Sequence, residues 1–549
     1  MTGDAAAHAG LPAPLWWQGG VIYQIYPRSF QDSNGDGIGD LRGIIARLDY
    51  LNDGSERSLG IDAIWLSPTF PSPMKDFGYD VSDYCGVHPD FGDLAAMDEL
   101  IAACQARGIR LLLDYVPNHS SDQHPWFVES RSSRNSPQRD WYYWRDPAPH
   151  GGPPNNWLSA FGGGAWQWDE ESGQYYLHSF LKEQPDLNWR NPQVVAAMHD
   201  VLRFWLRRGI DGFRIDALGR ALKDPRMRDN PPNPNWTPDA GLPQRFAQIE
   251  RYNRDWPDQI DVVRGIRRVL DEFPARMAVG EVFGSPETLA WYLGGEALDG
   301  LNLAFNFHLI GGYGTPHTRW NAATFRELVD AAQRALPEGA IPAYVMGNHD
   351  QPRLVSRFGR AAAPGAAVLL LTLPGTPFVY YGEEIGMEDV PIDEAQAQDP
   401  ARHGAIGRDP ERTPMQWSDA PGAGFTTGTP WLPLGDLRLN VAAQSDDPGS
   451  LLGLYRRLIW LRKRSPALRG GSYASLPDTP PGVYGFVRIA TDQRALTLVN
   501  FDDAPANVRL PGAFAGATLA CSTRLGREGE RSGARWLELA GHEAVVLLA

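Results

Sequence analysis

Short apolar runs rich in β-branched residues recur along the chain, separated by polar, helix-forming stretches. The first is Val21–Pro27 (VIYQIYP); Ile61–Ser67 (IDAIWLS) and Ile109–Val116 (IRLLLDYV) follow. Gly212–Ala217, Met277–Val282, Leu301–Phe307, Ile341–Gly347 and Thr376–Tyr381 complete a series of eight. Strands alternating with helices predict a parallel sheet. Eight such units predict closure into a (β/α)8 TIM barrel rather than an open, doubly wound sheet. No G-x-G-x-x-G fingerprint follows the first run, which weakens the open-sheet alternative.

Two regions break this rhythm. Residues 117–187 are rich in Trp, Tyr, Gly and Pro, as in DWYYWRDPAP and AFGGGAWQW. A connection of that length needs structure of its own, so it reads as a subdomain inserted after the third strand. Beyond the helical stretch Leu451–Arg464 the pattern turns to short alternating segments such as GVYGFVRIA and ALTLVNF. These predict a C-terminal antiparallel β-sandwich. The expected fold class is therefore α/β: a TIM barrel over 1–116 and 188–469, an inserted subdomain over 117–187, and a β-domain over 470–549.

At 549 residues the chain is too long for one compact core. Its formal net charge of −15 disfavours nucleic acid and anionic membrane surfaces as partners and is compatible with a small neutral ligand. Cys85, Cys104 and Cys521 are scattered and odd in number. They suggest no disulfide framework and fit a reducing cytoplasm. The opening stretch MTGDAAAHAGLPAPLWW lacks the basic-then-apolar layout of a secretory leader. A cytoplasmic location, as monomer or homodimer, is expected.

In a TIM barrel the chemistry lies at the C-terminal ends of the strands. Four of the predicted strands end in acids: Asp114, Asp216, Glu281 and Asp350. Arg214 lies two residues before Asp216, so alternation puts both on the inward face. Inward charges are costly unless paired or used. Two carboxylates of different ionisation are what glycoside hydrolysis requires. Arg214 should favour an ionised Asp216, making it the nucleophile. Glu281, with its longer reach, suits the acid/base role.

At these residues the chain resembles the α-amylase family of glycoside hydrolases, from about Leu15 to the C-terminus. DYVPNH (Asp114–His119), GFRIDAL (Gly212–Leu218), EVF (Glu281–Phe283) and MGNHD (Met346–Asp350) are similar, in order, to its four conserved regions. QPDLNW (Gln184–Trp189) resembles the marker of the α-glucosidase and oligo-1,6-glucosidase subfamily. The resemblance implies Asp216 as nucleophile, Glu281 as general acid/base, and Asp350 as the binder of the sugar's 2- and 3-hydroxyls. It implies that His119 and His349 touch the same glucose and that Arg214 orients Asp216. Asp76 and Tyr79 would close and stack the pocket, with Phe161, Phe180 and Gln184 as further pocket residues. Arg412, ahead of Arg408, is the expected partner of Asp76. Ala217, after the nucleophile, implies a preference for α-1,4 over α-1,6 bonds. The implied activity is a retaining, exo-acting α-glucosidase on maltose and short α-glucosides, with a glucosyl transferase or trehalose synthase as the alternative.

The stretch Asp32-Ser-Asn34-Gly-Asp36-Gly-Ile38-Gly-Asp40 places oxygen ligands at alternate positions, like the start of a calcium loop. The resemblance implies one structural Ca2+, or Mg2+ in its place, with the Ile38 carbonyl among the ligands. Lys223–Trp236, after the fourth strand, is expected to edge the pocket mouth.

Overall fold

The computed structural model describes residues 15–240, 244–311, 316–399 and 407–549; most of the N-terminal stretch read for a leader lies outside them. Eight parallel strands close into a barrel. They are β1 (Ile22–Ile25), β2 (Ala63–Leu66), β3 (Arg110–Tyr115), β4 (Gly212–Ile215), β5 (Met277–Gly280), β6 (Leu303–Asn306), β7 (Ala343–Val345) and β8 (Thr376–Tyr380). Each pairs with the next, and β8 closes on β1 through Ile22 and Phe378. Each lies within one of the eight runs read from the sequence.

Burial on both faces explains why those runs are continuously apolar. Alternate residues fill the barrel interior: Ile22, Trp65, Leu112, Met277, Val279, Leu303, Phe305, Ala343, Val345 and Phe378 form one cluster. Their neighbours, such as Tyr23, Leu111, Leu113 and Phe213, face the surrounding helices in a second, larger cluster. The helix Pro192–Arg208 shows how that outer layer is specified. The Asn191 side chain caps it, Pro192 occupies its first turn and Gly209 ends it at φ 108°. Val194, Met198, Val201, Leu202, Trp205 and Leu206 form its buried stripe.

The inserted segment between β3 and β4 contains helix Pro125–Ser132 and a small antiparallel sheet of Trp144–Arg145, Gln174–Leu177 and Trp166–Asp169. Lys223–Trp236, expected to edge the pocket mouth, contributes no residue to the lining of the catalytic pocket. Its carbonyls at Met227, Arg228 and Asn230 accept hydrogen bonds from Asn155, Trp157 and Asn156, so it clamps the insert to the barrel. At the C-terminus a five-stranded antiparallel sheet includes Val483–Ile489, Arg494–Asn500 and Ala544–Leu548. A two-stranded sheet, Ala506–Arg509 with Trp536–Leu539, shares its core through Leu496, Leu498, Val508, Leu537 and Leu539. No helix among the described residues is long and apolar enough to cross a membrane.

Candidate active site

The inward alternation of the barrel strands runs to their C-terminal rim. Two steps beyond Leu112, Arg214 and Val279 stand Asp114, Asp216 and Glu281. The backbone fixes two of these acids to the rim. The Asp216 amide donates to the Tyr115 carbonyl at 2.9 Å, and the Glu281 amide to Ile215 at 2.9 Å. One guanidinium then ties the three carboxylates together. Arg214 lies 2.8 Å from Asp114, 2.7 Å from Asp216 and 3.0 Å from Glu281. Trp65 and the Tyr79 hydroxyl donate to the other oxygen of Asp114, each at 3.1 Å.

A single cation cannot neutralise three buried carboxylates, and the acids respond. Burial raises Asp216 well above the usual carboxylate range; the pull of Arg214 is opposed by Glu281, Asp114 and Asp350. Arg214 favours the ionised form of Asp216 as expected, while desolvation and like charge act against it. Burial likewise lifts Asp114 to about 6 despite Arg214. Ala217 adds a further tie. Its amide donates to Glu281 at 3.0 Å from a left-handed conformation, φ 43° and ψ 32°.

Asp350, on the far side of the pocket, has the opposite character. Burial works to raise it, but His349, Arg408 and Arg412 together hold it well below the usual carboxylate range. Arg408 lies 3.1 Å and Arg412 2.9 Å from it. The partner of Asp76 is Arg408, at 2.6 Å, and not Arg412 as expected. The 3-10 turn Asp409–Arg412 is the reason. It carries Arg412 beneath the site, where its Nε donates to the His349 carbonyl, and leaves Arg408 facing Asp76. Asp399 braces Arg408 from behind at 2.8 Å.

The pocket wall includes Asp76, Tyr79, His119, Phe161, Phe180, Asp216, Ala217, Glu281, Asp350 and Arg408, around a cavity of about 270 Å³. Gln184 and His349, expected against the ligand, stand behind this wall together with Arg214 and Arg412. Arg214 and Arg412 are the bridges described above. Gln184 is fully buried and joins Asp76, at 2.9 Å, to His119, at 3.1 Å. His349 is covered by Tyr79, whose ring stacks on it at 5.5 Å and whose hydroxyl meets its Nε2 at 2.7 Å. Burial pushes His119 down to about 4 and His349 well below its ordinary value, so both imidazoles are neutral near pH 7. Trp65, Asp399 and Lys223 were not singled out by sequence reasoning. Lys223 is buried and pairs with Asp186 of QPDLNW at 2.6 Å, which locks that motif against β4.

The Asp32–Asp40 loop follows β1 and is built on its own side chains. Asp32 accepts from the amides of Asn34, Gly35 and Gly37 at 2.8–2.9 Å. Burial opposes them, but these bonds and one from Thr426 hold Asp32 below its ordinary value. Gly37 is required because a Cβ there would sit 1.9 Å from the Thr429 carbonyl oxygen. Asn34 and Asp36 each accept the amide two residues on, and Asp40 caps helix Leu41–Ala46. Among the described residues no cluster of three His, Cys, Asp or Glu is placed as a metal cage. Any cation here would rely on mixed carboxylate, amide and carbonyl oxygens, which is the chemistry of a hard ion.

Comparison with known proteins agrees with this geometry. The Alpha-amylase family, described as "Alpha amylase, catalytic domain", matches residues 24–471. A protein named probable alpha-glucosidase, from Rhizobium meliloti (strain 1021), is 44% identical over 90% of this chain and 91% of its own. The oligo-1,6-glucosidase of Parageobacillus thermoglucosidasius is 39% identical over 90% and 92%. The crystal structure of the alpha-glucosyl transfer enzyme XgtA is similar with a TM-score of 0.88 and 41% identity, covering 98% of this chain and all (100%) of that one. The trehalulose synthase MutB from Pseudomonas mesoacidophila MX-45 is similar with a TM-score of 0.87 and 34% identity, covering 98% and 100%.

Proposed function

Because the chain belongs to the α-amylase family of glycoside hydrolases, we propose that it is an exo-acting, retaining α-glucosidase that releases glucose from maltose and short α-glucosides. The carrying observation is the one guanidinium of Arg214 touching both Asp216 and Glu281 at the floor of a pocket. Retaining enzymes hold their two carboxyls about 5–5.5 Å apart, and a pair sharing one guanidinium is compatible with that spacing.

In this reading Glu281 is the proton donor and Asp216 the attacking carboxylate. Asp216 attacks the anomeric carbon as Glu281 protonates the leaving oxygen, giving a glucosyl ester on Asp216. Glu281, now a carboxylate, takes a proton from water, whose oxygen displaces Asp216. Two inversions leave the configuration unchanged. Asp350, held ionised, accepts from two ring hydroxyls, and neutral His119 adds a hydrogen bond without adding charge. The Asp76–Arg408 pair closes the non-reducing end, so one glucose fills the site. Ala217 supports a preference for α-1,4 bonds. The similarity to XgtA and MutB favours a second outcome at the same ester, attack by a sugar hydroxyl in place of water.

The reading includes one structural Ca2+, or Mg2+, held by Asp32, Asn34, Asp36, the Ile38 carbonyl and Asp40. It would brace the loop after β1 and take no part in the reaction. Chelation is expected to lower the melting temperature without changing the initial rate. The free cysteines and acidic charge support a cytoplasmic setting.

A substrate panel of maltose, isomaltose, sucrose, trehalose and starch tests the assignment. Glucose should appear fastest from maltose, as the α-anomer, and not at all with Asp216→Ala. Trehalose as the main product would assign the synthase instead, and equal activity of Asp216→Ala would end the reading.

A further inference from the structure

We propose that Asp80, which stands outside the catalytic pocket, is a positioning residue: it sets the place of Asp76 and, through it, the grip of the closed end of the pocket on a terminal glucose. The proposal rests on the glucosidase reading and adds a supporting residue to that same site.

Asp76 is carried by a stretch, residues 72–80, that forms neither helix nor strand. No regular hydrogen-bond ladder therefore fixes its backbone, and the amides of the stretch need other acceptors. The Asp80 carboxylate, which is fully buried, supplies them. Its Oδ1 accepts from the Asp76 amide at 2.9 Å and from the Ser72 hydroxyl at 2.7 Å. Its Oδ2 accepts from the Lys75 amide at 2.9 Å. Ser72 Oγ in turn accepts from the Met74 amide at 2.9 Å, and the Tyr79 amide donates to the Asp76 carbonyl at 3.1 Å. The whole turn is thus wound on one side chain. Burial pushes Asp80 up to about 6 against the pull of its three hydrogen bonds, which leaves it ionised near pH 7 and accepting on both oxygens.

The chain would not take this path unaided. Met74, at φ 60°, and Phe77, at φ 44°, are left-handed without being glycine, and Asp76 lies between them. Such conformations persist only where the surroundings over-determine them. One constraint is the Phe77 ring, held edge-on by Trp431 at 5.3 Å and by the Arg28 guanidinium at 5.3 Å. The other is Asp80. Between these anchors Asp76 presents its carboxylate to Arg408 at 2.6 Å and to Gln184 at 2.9 Å. Bonds of this length weaken steeply when their angle or distance is disturbed. Asp80 is absent from the pocket lining, so any effect it has on a bound sugar must pass through the groups it holds.

Wild type, Asp80→Asn, Asp76→Ala and the double variant should be compared on maltose. Asp80→Asn keeps the size of the side chain but sets an amide nitrogen where a backbone amide needs an acceptor. The closed end lies across the glucose from the bond that breaks. Contacts there are alike in the ground and transition states, and their loss appears in KM. We expect Asp80→Asn to raise KM about tenfold, with kcat within about threefold of wild type. In the Asp76→Ala background the same substitution should raise KM by less than about twofold, since the group it acts through is gone. Ser72→Ala, which removes one donor and no charge, should show the same pattern at about threefold. Melting curves identify a misfolded protein, and if Asp80→Asn misfolds, Ser72→Ala in the two backgrounds decides the question. KM changes that multiply in the double variant, a loss confined to kcat, or an unchanged KM in the folded variant would overturn the proposal. Absence of glucose from maltose with wild type would instead topple the glucosidase reading, and the role of Asp80 with it.

Discussion

Arg214→Lys tests the charge arrangement most directly. Arg214 uses one terminal nitrogen for Asp114 and Asp216, at 2.8 and 2.7 Å, and the other for Glu281, at 3.0 Å. A lysine offers one nitrogen where the guanidinium offers two in a fixed fork. It can keep one contact well and must give up about two. Each charge-assisted bond is worth roughly 1.5–3 kcal/mol. Two such losses, if both act in the transition state, lower kcat/KM by about 10²- to 10⁴-fold. The pH profile carries the sharper signal. Arg214 opposes the burial that raises Asp216; with that pull weakened the carboxyl rises further. The nucleophile must be ionised, so the acidic limb should move to higher pH. Glucose release from maltose, followed from about pH 4 to pH 8 beside a melting curve, measures both effects. A folded Arg214→Lys enzyme with near-normal kcat/KM and an unmoved acidic limb would refute the reasoning.

Glu281→Gln should abolish maltose turnover while maltose still shifts the melting temperature; retained turnover would remove Glu281 from the acid/base role. Ala217→Val should move preference towards isomaltose and lower stability by about 1–3 kcal/mol, because a β-branched residue fits φ 43° poorly; an unchanged ratio of the two rates would discard the selector argument. Glu383 is buried after β8, accepts from the Tyr455 hydroxyl at 2.9 Å, and is pushed by burial up to about 8. A carboxyl raised on folding binds its proton in the folded state while the unfolded chain has lost it, so stability falls as pH rises between the ordinary carboxylate range and that value. Glu383→Gln should therefore match wild type near pH 5 and melt higher near pH 9; an identical offset at both would show that the carboxyl does not titrate.

Much of this was legible in the chain. The eight strands could be read because both faces of each are buried, which forces short runs with little polar interruption. The acids could be read because they interrupt those runs at the end where a barrel exposes its side chains. The choice between Arg408 and Arg412 could not, since the two lie close together in sequence and only the intervening turn sends one to Asp76 and the other beneath Asp350. Lys223 looked like a loop residue; its partner, Asp186, is distant in sequence and meets it only when the insert folds back. The family resemblance sets His349 and Gln184 at the sugar; that Tyr79 stacks on the one and Asp76 bonds to the other depends on contacts distant in sequence.

Arg408 bound to both Asp76 and Asp350 has one more consequence. In the glucosidase reading it bars one end of the glucose site, and sugar passes by a doorway on the side of Glu281 and Phe283. Traffic through one doorway is a queue: the aglycone, nearest the exit, departs first, and the released hexose waits behind it. On that reading free glucose re-entering by that door would occupy the place the next chain end needs, and hydrolysis would slow by simple competition as product accumulates.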